Sequence, residues 1–330
     1  MIIAKSAFRV TLGGSSLDYP SYFREFGPVL SIGFTLKKYC YVNLTHLPNI
    51  NGTNFQVAYS QFERCHNIDD IVNPGVRGTL QHFNEIKKLD KLSVQILNEL
   101  PTRSGVGSSS AMINALSLAL ASHIEINASH KELAKNTIYI ERDLLQEAGG
   151  WVDQILTSFG GLVSVEFQPS GEFYVKPLAV STDFVDFFKK SCVLYFTDEK
   201  NNSRNSYELA KSYENVDALA HKHEILRLSH EIKSQMENEN LENVGRLIHE
   251  TWENKKKISG LISNGQIDST YEKILNSGAV GGRVMGAGSS GFVFTVYPDP
   301  DKKRLATQNI GLSYVDVDID YDGTKIIFQN

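Results

Sequence analysis

The stretch LNELPTRSGVGSSSAMINALSLAL, Leu97 to Leu120, places a loop of Gly and Ser directly before an apolar helix. Met112, Ala115, Leu116, Ala119 and Leu120 recur at i, i+3, i+4, i+7 and i+8, so one face of that helix is buried. The backbone N–H groups at its start have no intrahelical partner and carry the positive end of the helix dipole. A glycine loop leading into them therefore suits a phosphate. Gly105 and Gly107 allow close backbone approach, and Ser108, Ser109 and Ser110 add hydroxyls in the first turn. An ordinary serine N-cap would use just one of those hydroxyls, and the stretch alone leaves both readings open.

Spacing excludes two familiar phosphate loops. No lysine follows Gly107 as G-x-x-x-x-G-K-[ST] demands, and Ser110 stands where a dinucleotide fingerprint needs a third small residue. What remains is a loop of another type, in which a serine hydroxyl reaches a magnesium ion. Such an ion needs oxygen ligands, commonly one or two carboxylates plus phosphate and water. A second helix, Lys131 to Gln146, supplies a carboxylate: Ala134, Ile138, Glu141 and Leu145 fall on one stripe, so Glu141 sits where an apolar residue is expected. A buried carboxylate is costly unless it is paired or binds a metal, and pairing with Arg142 or a lysine at the stripe's edge is the plainer alternative. Twelve residues on, GGWVDQ places Asp153 after two glycines, where it can turn into the same cleft as a general base.

The rest of the chain is mixed. AFRVTL, VLSIGFTL, YCYVNLTHL and NFQVAYSQF read as strands, IVNPGVRGTLQHFNEIKKL from Ile71 as a helix, and SVQILNEL as a strand before the loop. GGLVSVEFQPSGEFYVKPL reads as a hairpin and SCVLYFTD as a strand, followed by long polar helices between about Arg204 and Leu275. A length of 330 residues favours two domains over one, with the boundary near residue 180: 1–180 and 181–330. In YVDVDIDYDGTKIIF, Asp318, Asp320, Asp322 and Gly323 imitate the start of a calcium loop. The twelfth position is Gln329 where a bidentate Glu is required, and Asp322-Gly323 between alternating runs predicts a tight hairpin instead.

Composition excludes several function classes. Cys40, Cys65 and Cys192 are odd in number and lack C-x-x-C spacing, which argues against a disulfide framework or thiolate metal site and fits a reducing cytoplasm. MIIAKSAFRV has no apolar signal core, and no window reaches the roughly 18 to 20 apolar residues of a membrane span. A net charge of −5 argues against a nucleic-acid surface, and Lys255, Lys256 and Lys257 read as a solvated helix face.

Three segments together resemble the GHMP kinases, which act on galactose, homoserine, mevalonate and phosphomevalonate. FRVTLGGSSLDYP supplies the Arg and the Asp of the first motif as Arg9 and Asp18. Pro101-Thr-Arg-Ser-Gly-Val-Gly-Ser-Ser-Ser-Ala111 is similar to the second, P-x-x-x-G-L-G-S-S-A, and GGRVMGAGSSGF to the glycine-rich third. The runs DYPSYFREFGPVLS, IERDLLQEAGGWVDQILTSFGGL and IHETWENKKKISGLISNGQIDSTYEKILNSGAVGGRVMGAGSSGF resemble bacterial D-glycero-D-manno-heptose 7-phosphate kinases.

The resemblance implies an α+β GHMP kinase fold, with an N-terminal ribosomal-protein-S5-like, ATP-binding domain and a C-terminal ferredoxin-like domain. It implies transfer of the γ-phosphoryl group of ATP to the anomeric hydroxyl of a heptose 7-phosphate, for nucleotide-activated heptose and surface glycans. The alternatives are another sugar or small alcohol as acceptor, and a non-catalytic nucleotide or sugar sensor. Carried over residue by residue, Ser109 and Glu141 match the magnesium ligands, Asp153 the proton acceptor, and Arg9 the cation that orients it. Pro101, Arg103, Ser104, Gly105, Val106, Gly107, Ser108, Ser109 and Ser110 would line ATP. Asp18, Gly14, Ser15, Ser16, Trp151, Gly286, Gly288 and Ser289 would face the acceptor. The implied partners are ATP, Mg2+ and a small sugar or sugar phosphate, with a homodimer as a further expectation and neither nucleic acid nor membrane. The chain departs from the heptose-kinase pattern at Ser15, Ser16 and Leu17, where G-G-T would stand, in GAGSSG, and at Trp151, where a lysine is common. Trp151 could stack on a sugar ring or simply pack.

Overall fold

The first strand-forming run extends further than its apolar alternation suggests, because the next strand pairs with it from Ile2 to Gly13. A computed structural model describes residues 1–48, 52–197 and 218–330. Strand β1 (Ile2–Gly13) lies antiparallel to β2 (Val29–His46), with helix α1 (Pro20–Phe26) between them. The two runs expected as separate strands are thus one strand of 18 residues. Its first half pairs with a strand at Leu162–Phe167 and its second half with one at Leu92–Asn98. The hairpin β3 (Phe55–Ala58) and β4 (Phe62–Cys65) leads into α2 (Pro74–Ile86) and β5 (Leu92–Asn98). Helices α3 (Ser108–His123), α4 (His130–Ile138) and α5 (Val152–Phe159) follow, then the hairpin β6 (Leu162–Phe167) and β7 (Phe173–Pro177).

The second half begins with α6 (Thr182–Ser191) and β8 (Cys192–Phe196). It continues with α7 (Leu219–Glu237), α8 (Leu241–Ile258), α9 (Gly265–Asn276), β9 (Gly281–Val284), β10 (Phe292–Val296), α10 (Pro300–Asn309), β11 (Ser313–Asp316) and β12 (Lys325–Gln329). The polar helical stretch expected from Arg204 lies outside the described residues up to 217 and is α7, α8 and α9 beyond it. Among the described residues, one sheet has eight strands along the path β12-β1-β2-β5-β3-β4 with β6 and β7 branching from β2, and the other runs β11-β8-β10-β9. The three cysteines are free and buried. Among the described residues, no helix is long and apolar enough to cross a membrane.

The terminal hairpin does not form. β11 pairs with β8 and β12 with β1, so the two runs flanking Asp322-Gly323 join different sheets. The aspartates serve this crossing: Asp320 accepts from Tyr39 Oη at 2.9 Å and from the Gly323 N–H at 2.9 Å. β12 therefore returns across the expected division near residue 180.

The two sheets meet on aromatic side chains. Phe34 of β2, fully buried, packs edge-on against Phe188 of α6 at 5.4 Å and against Phe294 of β10 at 5.9 Å. Phe34→Ala is expected to cost about 3–5 kcal/mol through lost transfer energy and the cavity left behind, measured as a lower urea midpoint with unchanged slope.

Candidate active site

The phosphate-loop stretch folds as a loop held by its own glycines. Gly105 and Gly107 both have left-handed backbones, with φ of 81° and 75°, and Gly107 is the N-cap of α3. A side chain on Gly105 would lie 2.6 Å from the Met285 carbonyl oxygen, so the loop's approach to the C-terminal glycine segment requires glycine. Ser104 Oγ donates to the Pro101 carbonyl at 2.6 Å, and Ser108 Oγ accepts from the Arg103 N–H at 3.3 Å. These bonds tie the loop to the first turn of α3. Val106 is buried, and its carbonyl accepts from the Arg9 N–H at 2.9 Å, joining the loop to β1.

Arg9 and Asp153 meet beside this loop. Arg9 Nε donates to Asp153 Oδ1 at 2.7 Å, Nη2 donates to Oδ2, and Nη1 donates to the Gly105 carbonyl at 2.5 Å. The Arg9 side chain is 5% exposed while that of Asp153 is 29% exposed, so the carboxylate is gripped from behind and open in front. Such a two-point bond fixes the plane of the carboxylate.

Glu141 is buried, in the six-residue π-helical segment Tyr139–Leu144 that continues α4. The continuous α-helix expected to Gln146 thus changes its winding at the carboxylate, a feature frequent at functional sites. Glu141 is not at a partly exposed edge, yet Arg142 Nη2 does stand 3.7 Å from its Oε2. Gln154 Nε2 donates to Oε2. Burial pushes the Glu141 carboxyl above its usual range, with Arg142 and the Gln154 and Ser110 donors pulling the other way.

The serine that meets Glu141 is the one after Ser109, the residue expected to share its metal. Ser110 Oγ lies 3.1 and 3.0 Å from the two Glu141 oxygens, whereas Ser109 is exposed. The reason is helical phase: with α3 starting at Ser108, the third position turns inward and the second outward.

Asp18, expected to face the acceptor, is buried and accepts from the Val152 N–H at 2.9 Å. Burial raises its carboxyl above the usual range; the Val152 bond lowers it and the Asp153 charge raises it further. The buried hydroxyls of Ser15 and Ser16 have no partner among the described residues, and Ser16 has φ of 77°. Gly14 is placed otherwise: a side chain on it would lie 2.1 Å from the Leu30 carbonyl, so it packs on β2. Trp151 packs edge-on against Phe23 at 5.0 Å, with its indole N–H buried and unpartnered among the described residues. Gly150 touches Asp18 so closely that a methyl group would lie 1.9 Å from Asp18 Oδ2.

In the third glycine segment, Gly286 lies against Gly105, and Gly291 against Ser104, whose carbonyl accepts from the Phe292 N–H at 3.0 Å. Gly288 and Ser289 instead pack on Ile262, whose carbonyl accepts from the Ser289 N–H at 2.8 Å. The buried hydroxyl there is that of Ser290.

Comparison with known proteins decides the family. The family model described as GHMP kinases N terminal domain matches residues 75–161, and that described as GHMP kinases C terminal matches residues 232–315. The chain belongs to the GHMP kinases. It is 28% identical over 314 residues to a D-glycero-alpha-D-manno-heptose 7-phosphate kinase of Campylobacter jejuni, covering 92% of this chain and 91% of that protein. A D-glycero-D-manno-heptose 1-phosphate kinase from Bacteroides thetaiotaomicron superposes with a TM-score of 0.81 at 21% identity, over 100% of both chains. Lactococcus lactis galactokinase complexed with galactose gives 0.77 at 14% identity, over 98% of this chain and 94% of that one. Like other GHMP kinases, this chain is a phosphotransferase with an alcohol group as acceptor.

One further charged residue of this GHMP kinase escaped the sequence reading. Lys255 is not on a solvated face: it is 2% exposed and donates to the Gly286 carbonyl at 2.7 Å. Burial pushes its ammonium well below the usual lysine range, Arg283 and Arg9 add to this, and Asp18 and Asp153 oppose it. The signal was present, since Ile248, Trp252, Lys255 and Ile258 form one buried stripe of α8. The run of three lysines concealed it. Arg283 of β9 is likewise buried.

Proposed function

We propose that this GHMP kinase is an ATP- and magnesium-dependent sugar kinase that phosphorylates the anomeric hydroxyl of a heptose 7-phosphate. One observation carries the reading: a carboxylate held at two points by a buried guanidinium that also bonds the Gly105 carbonyl of the loop, yet itself 29% exposed. In this reading Asp153 accepts the proton of the anomeric hydroxyl as that oxygen attacks the γ-phosphorus. The bond to the β-bridging oxygen breaks and ADP leaves. Arg9 holds the Asp153 carboxylate in plane, and the loop N–H groups at the start of α3 receive phosphate oxygens. Asp18 orients sugar hydroxyls, with the Ser15 and Ser16 hydroxyls available to the same ring.

The donor set fits magnesium: Glu141 and Ser110 present hard oxygen atoms, with the Ser109 hydroxyl in the same helical turn. Among the described residues no three His, Cys, Asp or Glu side chains cluster, so phosphate and water would complete the ion's shell. When bound, the ion would neutralise charge on the phosphates.

The test is ADP release with ATP, magnesium and a panel of sugars and sugar phosphates. A heptose 7-phosphate should give the highest kcat/KM, and no acceptor-dependent turnover across the panel would refute the reading. The acceptor side has its own check. Gly150→Ala should displace Asp18 and raise the acceptor KM about tenfold, the value of one good hydrogen bond, with the ATP KM unchanged.

A further inference from the structure

We infer that Lys255 forms an anion subsite for a phosphoryl group at the seam between the phosphate loop and the C-terminal glycine segment. The proposal rests on the kinase reading for its ligand and on the following geometry for its existence. Lys255 Nζ is buried and its partner among the described residues is a neutral carbonyl, that of Gly286, at 2.7 Å. An ammonium carries three donors and a full charge, and a carbonyl satisfies one donor and no charge. Among the described residues no Asp or Glu forms an ion pair with it, a costly state for a buried cation until an anion arrives.

Its surroundings sharpen this. Among the described residues, the carboxylates that act on Lys255 are Asp18 and Asp153. Asp153 is taken at both oxygens by Arg9, and Asp18 already accepts the Val152 N–H. Neither carboxylate pairs with Lys255, so a phosphate would supply the counter-charge that its buried ammonium lacks. Position follows from contact. Gly286 packs so tightly on Gly105 that a methyl group on it would lie 2.7 Å from the Gly105 Cα, and the Gly105 carbonyl accepts from Arg9 Nη1 at 2.5 Å. Lys255, Gly286, Gly105, Arg9 and Asp153 thus form one connected series, which ends at the group assigned to take the acceptor's proton. The ammonium would supply a cation beside a loop that has no lysine after Gly107.

Two phosphates could occupy the subsite, the one in transfer and the one already on the acceptor, and the chemistry is common to both. Lys255→Met and Lys255→Arg separate them. Inorganic phosphate is the binding probe, measured by calorimetry, and turnover is compared on phosphorylated and unphosphorylated forms of the same sugar. Lys255→Met should weaken phosphate binding at least about tenfold, as expected for a lost charge-assisted contact, and Lys255→Arg should restore part of it. Loss of a buried charge should leave the melting temperature unchanged or raised, so a binding loss in a folded variant reports the subsite. An equal fall in kcat on both acceptors places the transferring phosphoryl group there. A rise in KM confined to the phosphorylated acceptor places the acceptor's own phosphate there. Phosphate binding within twofold of wild type in Lys255→Met would overturn the subsite. A wild type that turns over no sugar, yet shows the phosphate-binding difference, would overturn the kinase reading alone.

Discussion

Asp153→Asn is expected to lower kcat by about a hundredfold to ten-thousandfold, with ATP affinity within about twofold of wild type. The substitution keeps the shape of the side chain and removes its capacity to take a proton. It leaves untouched the loop from Pro101 to Ser110 and the Glu141–Ser110 pair, so nucleotide binding has no reason to change. The amide also breaks the match to Arg9, since one of its two positions becomes a donor facing the guanidinium. Arg9→Lys should therefore lose rate as well, because an ammonium cannot reproduce the two-point grip, although the base itself remains. Steady-state kinetics with calorimetric titration of ATP checks both. Turnover in Asp153→Asn within tenfold of wild type would remove Asp153 from the role of base.

Glu141→Gln should cost about two to three orders of magnitude in kcat/KM at limiting magnesium, and should at the same time stabilise the metal-free protein. The second half of this statement follows from linkage. Burial raises the Glu141 carboxyl above its ordinary value of 4.5. The folded state therefore binds this proton more tightly than the unfolded chain, and stability from this group is fully present below the unfolded value. It falls as pH climbs from there through the raised folded value. The neutral Gln removes that fall, so the melting temperature of the metal-free variant should be higher at neutral pH and flatter above pH 4.5. Added magnesium should raise the melting temperature of the wild type more than that of the variant. Equal responses to magnesium in the two proteins would remove Glu141 from the metal site.

Local elements of the active site were legible wherever a periodicity or a turn signal lay within a few residues. The loop before α3 and the stripe that exposes Glu141 as an intruder follow from the sequence, because helix phase is set by neighbours three and four positions apart. The same rule applied to α8 would have exposed Lys255, had its two charged neighbours not resembled a solvated face. Where the phase of a helix depends on its first residue, the sequence was ambiguous by one position, and Ser110 rather than Ser109 faces the carboxylate.

The sequence by itself determined the strands, the glycine loop, the helices and the kind of chemistry their residues could support. Tertiary structure alone decided which of these groups meet. Arg9 and Asp153 are 144 residues apart and are joined only because β1 and α5 converge behind the phosphate loop. The runs on either side of Asp322-Gly323 look like a hairpin locally, yet they separate because β8 and β1 each offer an open edge to one of them. Local alternation specifies that a strand forms and which face it buries. The edge it joins is set by competition among all exposed edges once the sheets have assembled.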